Sequence, residues 1–153
     1  MPDSPAVADA SVLIAYQEIG HLKLLQALFH VLVVPPAVAR EVTPSFRILP
    51  GWVTVVHPSG IHPGAEGLDA GEQEAISLAI EISATSVLLD DLPGRRRAEN
   101  LRLPVLGSVG ILLVAKEHGY IELMRPYMDS MRATSLYLSE RVYGGILRAA
   151  GEA

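Results

Sequence analysis

Cysteine is absent from the 153 residues, which excludes a disulfide scaffold, thiolate zinc centres, iron–sulfur clusters and a cysteine nucleophile. Aromatic residues are scarce at 5 %, with one Trp and two Phe, too few for a surface that stacks exposed bases. Positive charge is also short: 12 Lys and Arg stand against 17 Asp and Glu, a net charge of -5. A general polyanion-binding surface is therefore excluded, and any nucleic-acid contact has to come from a local basic patch. No apolar run approaches the roughly 20 residues of a membrane span, since Asp9 and Glu18 interrupt the first one. The N-terminal segment carries no Lys or Arg before it, unlike a signal peptide, and a cytoplasmic protein is expected. What the chain does have is 50 % hydrophobic and only 19 % charged residues, a composition that excludes intrinsic disorder and predicts one domain over residues 1–153 with a well-buried core.

Short β-branched runs alternate with helical patterns, the signature of βαβ units feeding a parallel sheet. Ala6–Ala8 reads as a strand ending at Asp9, and Ser11 is placed to cap a helix that Gly20 ends. Leu22–Phe29 reads as a second helix and Val31–Val34 as a strand buried on both faces. Pro35 and Pro36 suit the first turn of a third helix running through Glu41. The Pro- and Gly-rich stretch 44–68 holds one strand, Val53–Val56, among irregular loops. From Asp69 the strongest periodicity follows, with Ala75, Ile76 and Ala79 on the buried side. A strand at Ser86–Leu89, a basic helix through Arg97, a strand at Val105–Leu106 and a helix at 108–118 complete the core, and residues 121–153 form a helical extension. The predicted fold is a three-layer α/β/α sandwich around a parallel sheet, with C-terminal helices.

Open parallel sheets bind ligands beyond the carboxyl ends of their strands. Asp9 and Asp90 end two predicted strands, and a carboxylate there costs several kcal/mol unless a positive partner stands beside it. Glu41 has Val38 at i-3 and Ala37 at i-4, beside an apolar stripe. Glu72 has Ala75, Ile76 and Ala79 at i+3, i+4 and i+7, which puts it on the buried stripe and turns Glu74 away by about 200° at the helical step of roughly 100° per residue. Asp90 and Asp91 would point to opposite sides of an extended strand, so one of them, Asp90, is preferred. Four converging carboxylates repel unless a cation joins them. Mg²⁺ or Mn²⁺ matches oxygen donors, and such an ion assists phosphodiester hydrolysis by activating water and neutralising phosphate. Ser11 is either a helix cap or a group that binds water or phosphate. Arg95, Arg96 and Arg97 form the one dense basic cluster, read either as phosphate contacts or as a solvated helix face. His57 and His62 read as surface residues rather than a zinc pair, and Met124, Met128 and Met131 as core or dimer contacts. No GxGxxG, GxxxxGK[ST] or GxSxG motif is present, against dinucleotide, P-loop and acyl-transfer chemistry.

Val7-Ala8-Asp9-Ala10-Ser11-Val12-Leu13-Ile14 resembles the first acidic motif of PIN domains, and Val34-Pro35-Pro36 with Glu41-Val42 resembles the second. Leu68-Asp69-Ala70-Gly71-Glu72-Gln73-Glu74-Ala75-Ile76 and Leu88-Leu89-Asp90-Asp91 resemble the third and fourth, and the likeness continues through Gly107-Ser108-Val109-Gly110 to Ile121. The subgroup resembled is the prokaryotic set related to VapC-type toxin nucleases. The resemblance implies an endoribonuclease dependent on Mg²⁺ or Mn²⁺, with Asp9, Glu41, Glu72 and Asp90 as catalytic, metal-binding acids and Ser11 and Arg95–Arg97 on the RNA. It further implies a small antitoxin partner, and homodimerisation is expected. The rival expectation is a catalytically weak PIN-like binding module that acts through assembly or a partner.

Overall fold

The computed structural model describes residues 5–46, 48–134, 136 and 138–153. Five short strands form one parallel sheet in the order β3-β2-β1-β4-β5: β1 is Ala6–Ala8, β2 Leu32–Val34, β3 Val53–Val55, β4 Val87–Leu88 and β5 Val105–Leu106. Val7 pairs with Val33 on one side and Val87 on the other, which places β1 at the centre. From β1 the chain winds outward through β2 to β3, then crosses back to β4 and outward to β5. The direction of winding reverses between β1 and β4, and a crevice opens beyond the carboxyl ends of strands at such a switch.

Side chains alternate across the pleat and meet two different layers. Ala6, Ala8, Leu32, Val34 and Leu88 pack into one core with α1 (Ala10–Glu18), α2 (Leu22–Phe29), α6 (Ser108–Glu117), α7 (Arg125–Arg132) and α8 (Glu140–Ala149), joined by Val38 and Val42 of α3 (Pro36–Val42). Val7, Val33, Val87 and Leu89 face the other way, onto Ala75, Leu78 and Ala79 of α4 (Ala70–Glu81). Ala98 of α5 (Leu92–Asn100) packs on Ile76 of α4 beyond that face. The expected three-layer arrangement is the one observed. Because both faces are covered, β1 and β2 are buried at every residue, the reason their sequences show no alternation.

Departures from the expected elements are small and local. Val31 is half exposed and precedes β2. At the edge of the sheet, β3 leaves Thr54 and Val55 exposed. Met124, Met128 and Met131 are fully buried in the core, so the methionine stripe is packing. His62 accepts the Gly64 N–H at 2.9 Å and caps a 3-10 turn at Pro63–Ala65. Among the described residues no helix is long and apolar enough to cross a membrane.

Candidate active site

Asp9 follows β1 and is the N-cap residue of α1, but its side chain makes no cap bond. It is only 6 % exposed, and its carboxyl faces across the crevice instead. Ser11, expected as a possible cap, lies inside the first turn of α1. Its hydroxyl donates to Asp9 Oδ2 at 3.2 Å and accepts the Asp90 backbone N–H at 3.4 Å. One short side chain thus ties the ends of β1 and β4 together at the switch point.

Helices α3 and α4, which pack against each other, bring the other acids in. Glu41 is exposed on α3 rather than facing inward, yet its carboxyl reaches over Gly71. A Cβ on Gly71 would stand 2.8 Å from Glu41 Oε1, 3.4 Å from Asp9 Oδ1 and 3.6 Å from Asp69 Oδ1. Three carboxyl groups therefore border one small space that a side chain at position 71 would fill. Glu72 is 5 % exposed; its Oε1 is buried with no hydrogen-bond partner and abuts Gly94 so closely that a Cβ there would collide with it. Glu74 points elsewhere, accepting the Ala37 N–H at 3.0 Å and so capping α3. Glu72 and Glu74 thus lie on different sides of α4, as the helical step of roughly 100° per residue predicts.

Burial and mutual repulsion raise the pKa values of Asp9, Glu41 and Glu72. Desolvation first, then the Glu41 charge, raises Asp9 to about 6. Burial, then the Asp69 charge, raises Glu41. Glu72 is pushed well above the carboxylate range by burial, by contact with the Asp69 carboxyl, and by the charges of Asp69, Asp91 and Asp9. Asp69 moves down, chiefly through that same contact with Glu72 and despite its own partial desolvation. Glu72 is the proton holder of the pair.

Asp90 stands apart from this group. The Ser108 N–H donates to its Oδ1 at 2.7 Å and the Ser108 hydroxyl donates to its Oδ2, so both oxygens are engaged at the start of α6. Ser108 is itself fully buried, and the Tyr16 hydroxyl donates to its carbonyl at 2.8 Å. Asp91 accepts the Gly94 N–H at 3.4 Å as the cap of α5, and it is Asp91 whose charge reaches Glu72.

The three arginines divide. Arg97 donates from Nη1 to the Gly64 and Glu66 carbonyls, at 3.0 and 2.6 Å, and pins the loop before α4. Arg96 is exposed. Arg95 lines a cavity of about 200 Å³ with Asp90, Gly107, Val109 and side chains of α8, and its Nε is buried without a partner. A larger cavity of about 510 Å³, lined by Gln17, Lys23 and Trp52, touches none of the acids, and the acid cluster lies in an open crevice.

Sequence reasoning missed Asp69, although the Asp-x-x-Glu spacing 69–72 is that of a capping box, and the Asp69 carboxyl does accept the Glu72 N–H at 2.8 Å. It also missed Ser108, which leaves no mark in the sequence beyond its place after a strand.

A hard divalent ion suits this site in charge and donor type: oxygen ligands converge, one buried carboxyl oxygen is unpaired, and no cationic side chain forms an ion pair with the cluster among the described residues. It does not yet form a closed shell, since among the described residues no three His, Asp or Glu groups are arranged to hold a metal ion as they stand.

The fold and the crevice define a doubly wound α/β domain with an acidic cluster at its switch point. The chain belongs to the PIN-domain family: the family model DUF3368, PIN domain, matches residues 5–152. PIN domains are typically nucleases and generally use divalent metals. A similar solved structure is that of a PilT N-terminus domain protein, SSO1118, from the hyperthermophilic archaeon Sulfolobus solfataricus P2. It is 16 % identical, with a TM-score of 0.53 over 88 % of this chain and 98 % of that one, a likeness of fold. No curated protein matches the chain.

Proposed function

We propose that this PIN domain is a divalent-cation-dependent endoribonuclease, in the cell the toxin of a pair restrained by a small antitoxin. The observation that carries the reading is the space over Gly71 bordered by carboxyl oxygens of Asp9, Glu41 and Asp69, next to a buried Glu72 whose Oε1 has no partner and which feels the charges of Asp69, Asp91 and Asp9. Several carboxyl groups kept close together without a counter-charge cost folding energy, and that cost is understandable where a cation is the missing partner. Bound there, Mg²⁺ or Mn²⁺ would neutralise the phosphodiester and make an attacking water more acidic.

Asp9, Glu41 and Glu72 would hold the ion from β1, α3 and α4. Asp90 would act from the rim, its carboxyl fixed by Ser108 and its backbone by Ser11. The Ser11 hydroxyl, already shared between the two strand ends, orients Asp9 and is placed to meet a water or a phosphate oxygen. Arg96, exposed on α5, and Arg95, at the edge of the crevice, supply phosphate contacts that a chain of net charge -5 otherwise lacks. Arg97 serves this surface by holding the 64–66 loop. Action as a homodimer in the cytoplasm completes the proposal.

The experiment is cleavage of a fluorescent single-stranded RNA with Mn²⁺, with Mg²⁺ and with EDTA, alongside melting of the protein in the same buffers. Cleavage with either ion, its loss in EDTA and its loss in Asp9→Asn are expected. Cleavage that persists in EDTA, or no cleavage and no Mn²⁺-induced rise in melting temperature, overturns the reading. The second reading, a binding module, is favoured by the open arrangement of the acids, and predicts RNA or protein binding with neither response.

A further inference from the structure

We propose that the cavity between Arg95 and the aliphatic walls of α6 and α8 is a nucleotide subsite, in which the arginine holds a phosphate and the walls cover the base. The inference rests on the RNA-cleaving reading above and adds where one nucleotide of the strand lies. The Arg95 side chain is half-buried on α5. Its Nε is cut off from solvent without a partner, and its guanidinium makes no hydrogen bond or ion pair with any described residue. Arg97, Arg125 and Arg132, by contrast, all donate to carbonyl or carboxylate oxygens. A guanidinium stays charged and offers five N–H donors. Drawn out of water unpaired, it carries a cost that an anion removes.

Asp90 does not serve as that anion. A Cβ on Gly107 would stand 3.0 Å from both Arg95 Nη1 and Asp90 Oδ1, yet the two side chains form no ion pair, because Ser108 engages both oxygens of Asp90. Gly107 has a φ of -86°, a value that any residue adopts. The backbone does not require glycine there, and its bare Cα keeps the gap between the two groups open. The gap borders a cavity of about 200 Å³, walled by Val109 of α6 and by Val142 and Ile146 of α8. That is smaller than the roughly 300–1,000 Å³ of a site for a drug-sized ligand, and its one cationic end contrasts with its aliphatic walls. A base with its phosphate divides in the same way. The planar fork of an arginine fits phosphate oxygens, and aliphatic side chains cover the faces of a single base without an aromatic platform. The cavity also adjoins the acids, since Ser11 joins Asp9 to the Asp90 N–H. A strand lying over the acids is therefore within reach of it.

The test uses the full chain in EDTA, which keeps metal binding and cleavage out of the measurement. Backbone amide NMR shifts are followed on titration with AMP, CMP, GMP and UMP, and with ribose 5-phosphate, which lacks the base. At least one of the four monophosphates is expected to bind at millimolar concentration and to shift Gly107, Val109 and Ile146. Ribose 5-phosphate is expected to bind about tenfold more weakly, having no base to bury against the walls. Arg95→Gln is expected to weaken both kinds of ligand about tenfold, as when a charged hydrogen bond is lost. Val142→Trp fills the cavity from a half-exposed position, and is expected to bring the monophosphate down to the affinity of ribose 5-phosphate, which stays unchanged. Equal affinity of the wild type for ribose 5-phosphate and all four monophosphates overturns the proposal. So does an affinity indifferent to Arg95→Gln, and so does a wild type that binds none of the ligands. Alongside the RNA assay above, a chain that cleaves RNA and binds no monophosphate sinks the subsite alone. One that binds a monophosphate in this way and cleaves no RNA supports the subsite and sinks the nuclease reading alone.

Discussion

Asp9→Asn is expected to make the protein more stable without divalent ions and less stable with them. Asp9 has a folded pKa of about 6 against an ordinary value of 3.8. Raising an acid's pKa on folding means that the native state binds the proton more tightly. Below about pH 4 the group is protonated folded and unfolded and costs nothing. The penalty grows as pH rises through the window from 3.8 to about 6, and above it levels off at about 3 kcal/mol, from about two pKa units at 1.36 kcal/mol each. Asparagine keeps the shape and can still accept the Ser11 hydroxyl, and its amide hydrogens would meet the carboxyls of Glu41 and Asp69 favourably. Allowing for imperfect replacement, about 1–3 kcal/mol of added stability is expected at pH 7, or several degrees in melting temperature for a chain of this size. Urea unfolding in EDTA at pH 4, 5.5 and 7 measures it: the gap between variant and wild type should be small at pH 4 and widen to pH 7. In Mn²⁺ at about a thousandfold excess over Kd the order should reverse, because only the wild type gains the full binding free energy, about 4.1 kcal/mol. A variant less stable than wild type at pH 7 in EDTA, or a gap independent of pH, would refute the assignment of Asp9 as a buried, repelled carboxylate.

Gly94→Ala should show a related split. The new methyl collides with the Glu72 carboxyl and comes within 3.1 Å of Cδ2 of the buried Leu89, so the carboxyl moves while α5 gains up to about 1 kcal/mol of helix propensity; RNA cleavage should fall at least tenfold with the melting temperature close to that of the wild type, and a large loss of both would mean that Leu89 cannot give way. Glu152→Gln should act on stability alone. The buried Glu152 carboxylate accepts the N–H groups of Met124 and Arg125, at 2.7 and 3.0 Å, and pairs with Lys116 at 2.9 Å. Burial alone would raise its pKa, but these partners outweigh it and the net shift is downward, so its contribution is present above the ordinary glutamate pKa and is lost as pH falls through the lowered folded value. About 2 kcal/mol of destabilisation is expected at pH 7, shrinking toward low pH in urea titrations, and an equal loss at all pH values would contradict the charge-based account.

The sheet was legible because burial on both faces leaves a strong signal. Val31–Val34 and Val7–Ala8 admit no polar side, and Asp9 and Asp90 punctuate two such runs. Helix α4 was legible for the same reason: Ala75, Ile76 and Ala79 mark one face, and Glu72 falls on it while Glu74 does not. The rest of the site was harder because it depends on distances between elements. Asp90 ends its strand as expected, yet its carboxyl turns to Ser108, a contact across 18 residues that only the docking of α6 creates. Arg97 reads as one of three equivalent cations in sequence, and becomes a loop clamp only because the 3-10 turn settles beneath α5. Asp69 reads as punctuation before a helix, and only the packing of α3 on α4 brings it beside Asp9 and Glu41.

These contacts also explain how the fold sustains a repulsive cluster. The acids sit at the ends of elements whose bodies are anchored elsewhere: β1 between β2 and β4, α4 under the sheet, α3 against α4. Moving the buried Asp9 or Glu72 carboxyl away would require shifting a packed element, a larger cost than holding an extra proton, whereas the exposed Glu41 and Asp69 side chains can turn toward solvent. Repulsion is therefore met by protonation of Glu72 and partial protonation of Asp9 rather than by opening the crevice. A divalent ion entering such a site must displace those protons, so its affinity should rise with pH through the range where Asp9 ionises, about pH 5 to 7. Isothermal titration of MnCl₂ in buffers of different ionisation enthalpy counts the protons released. A count of zero at pH 6 would mean that the acids are already charged and that this description of the crevice is wrong.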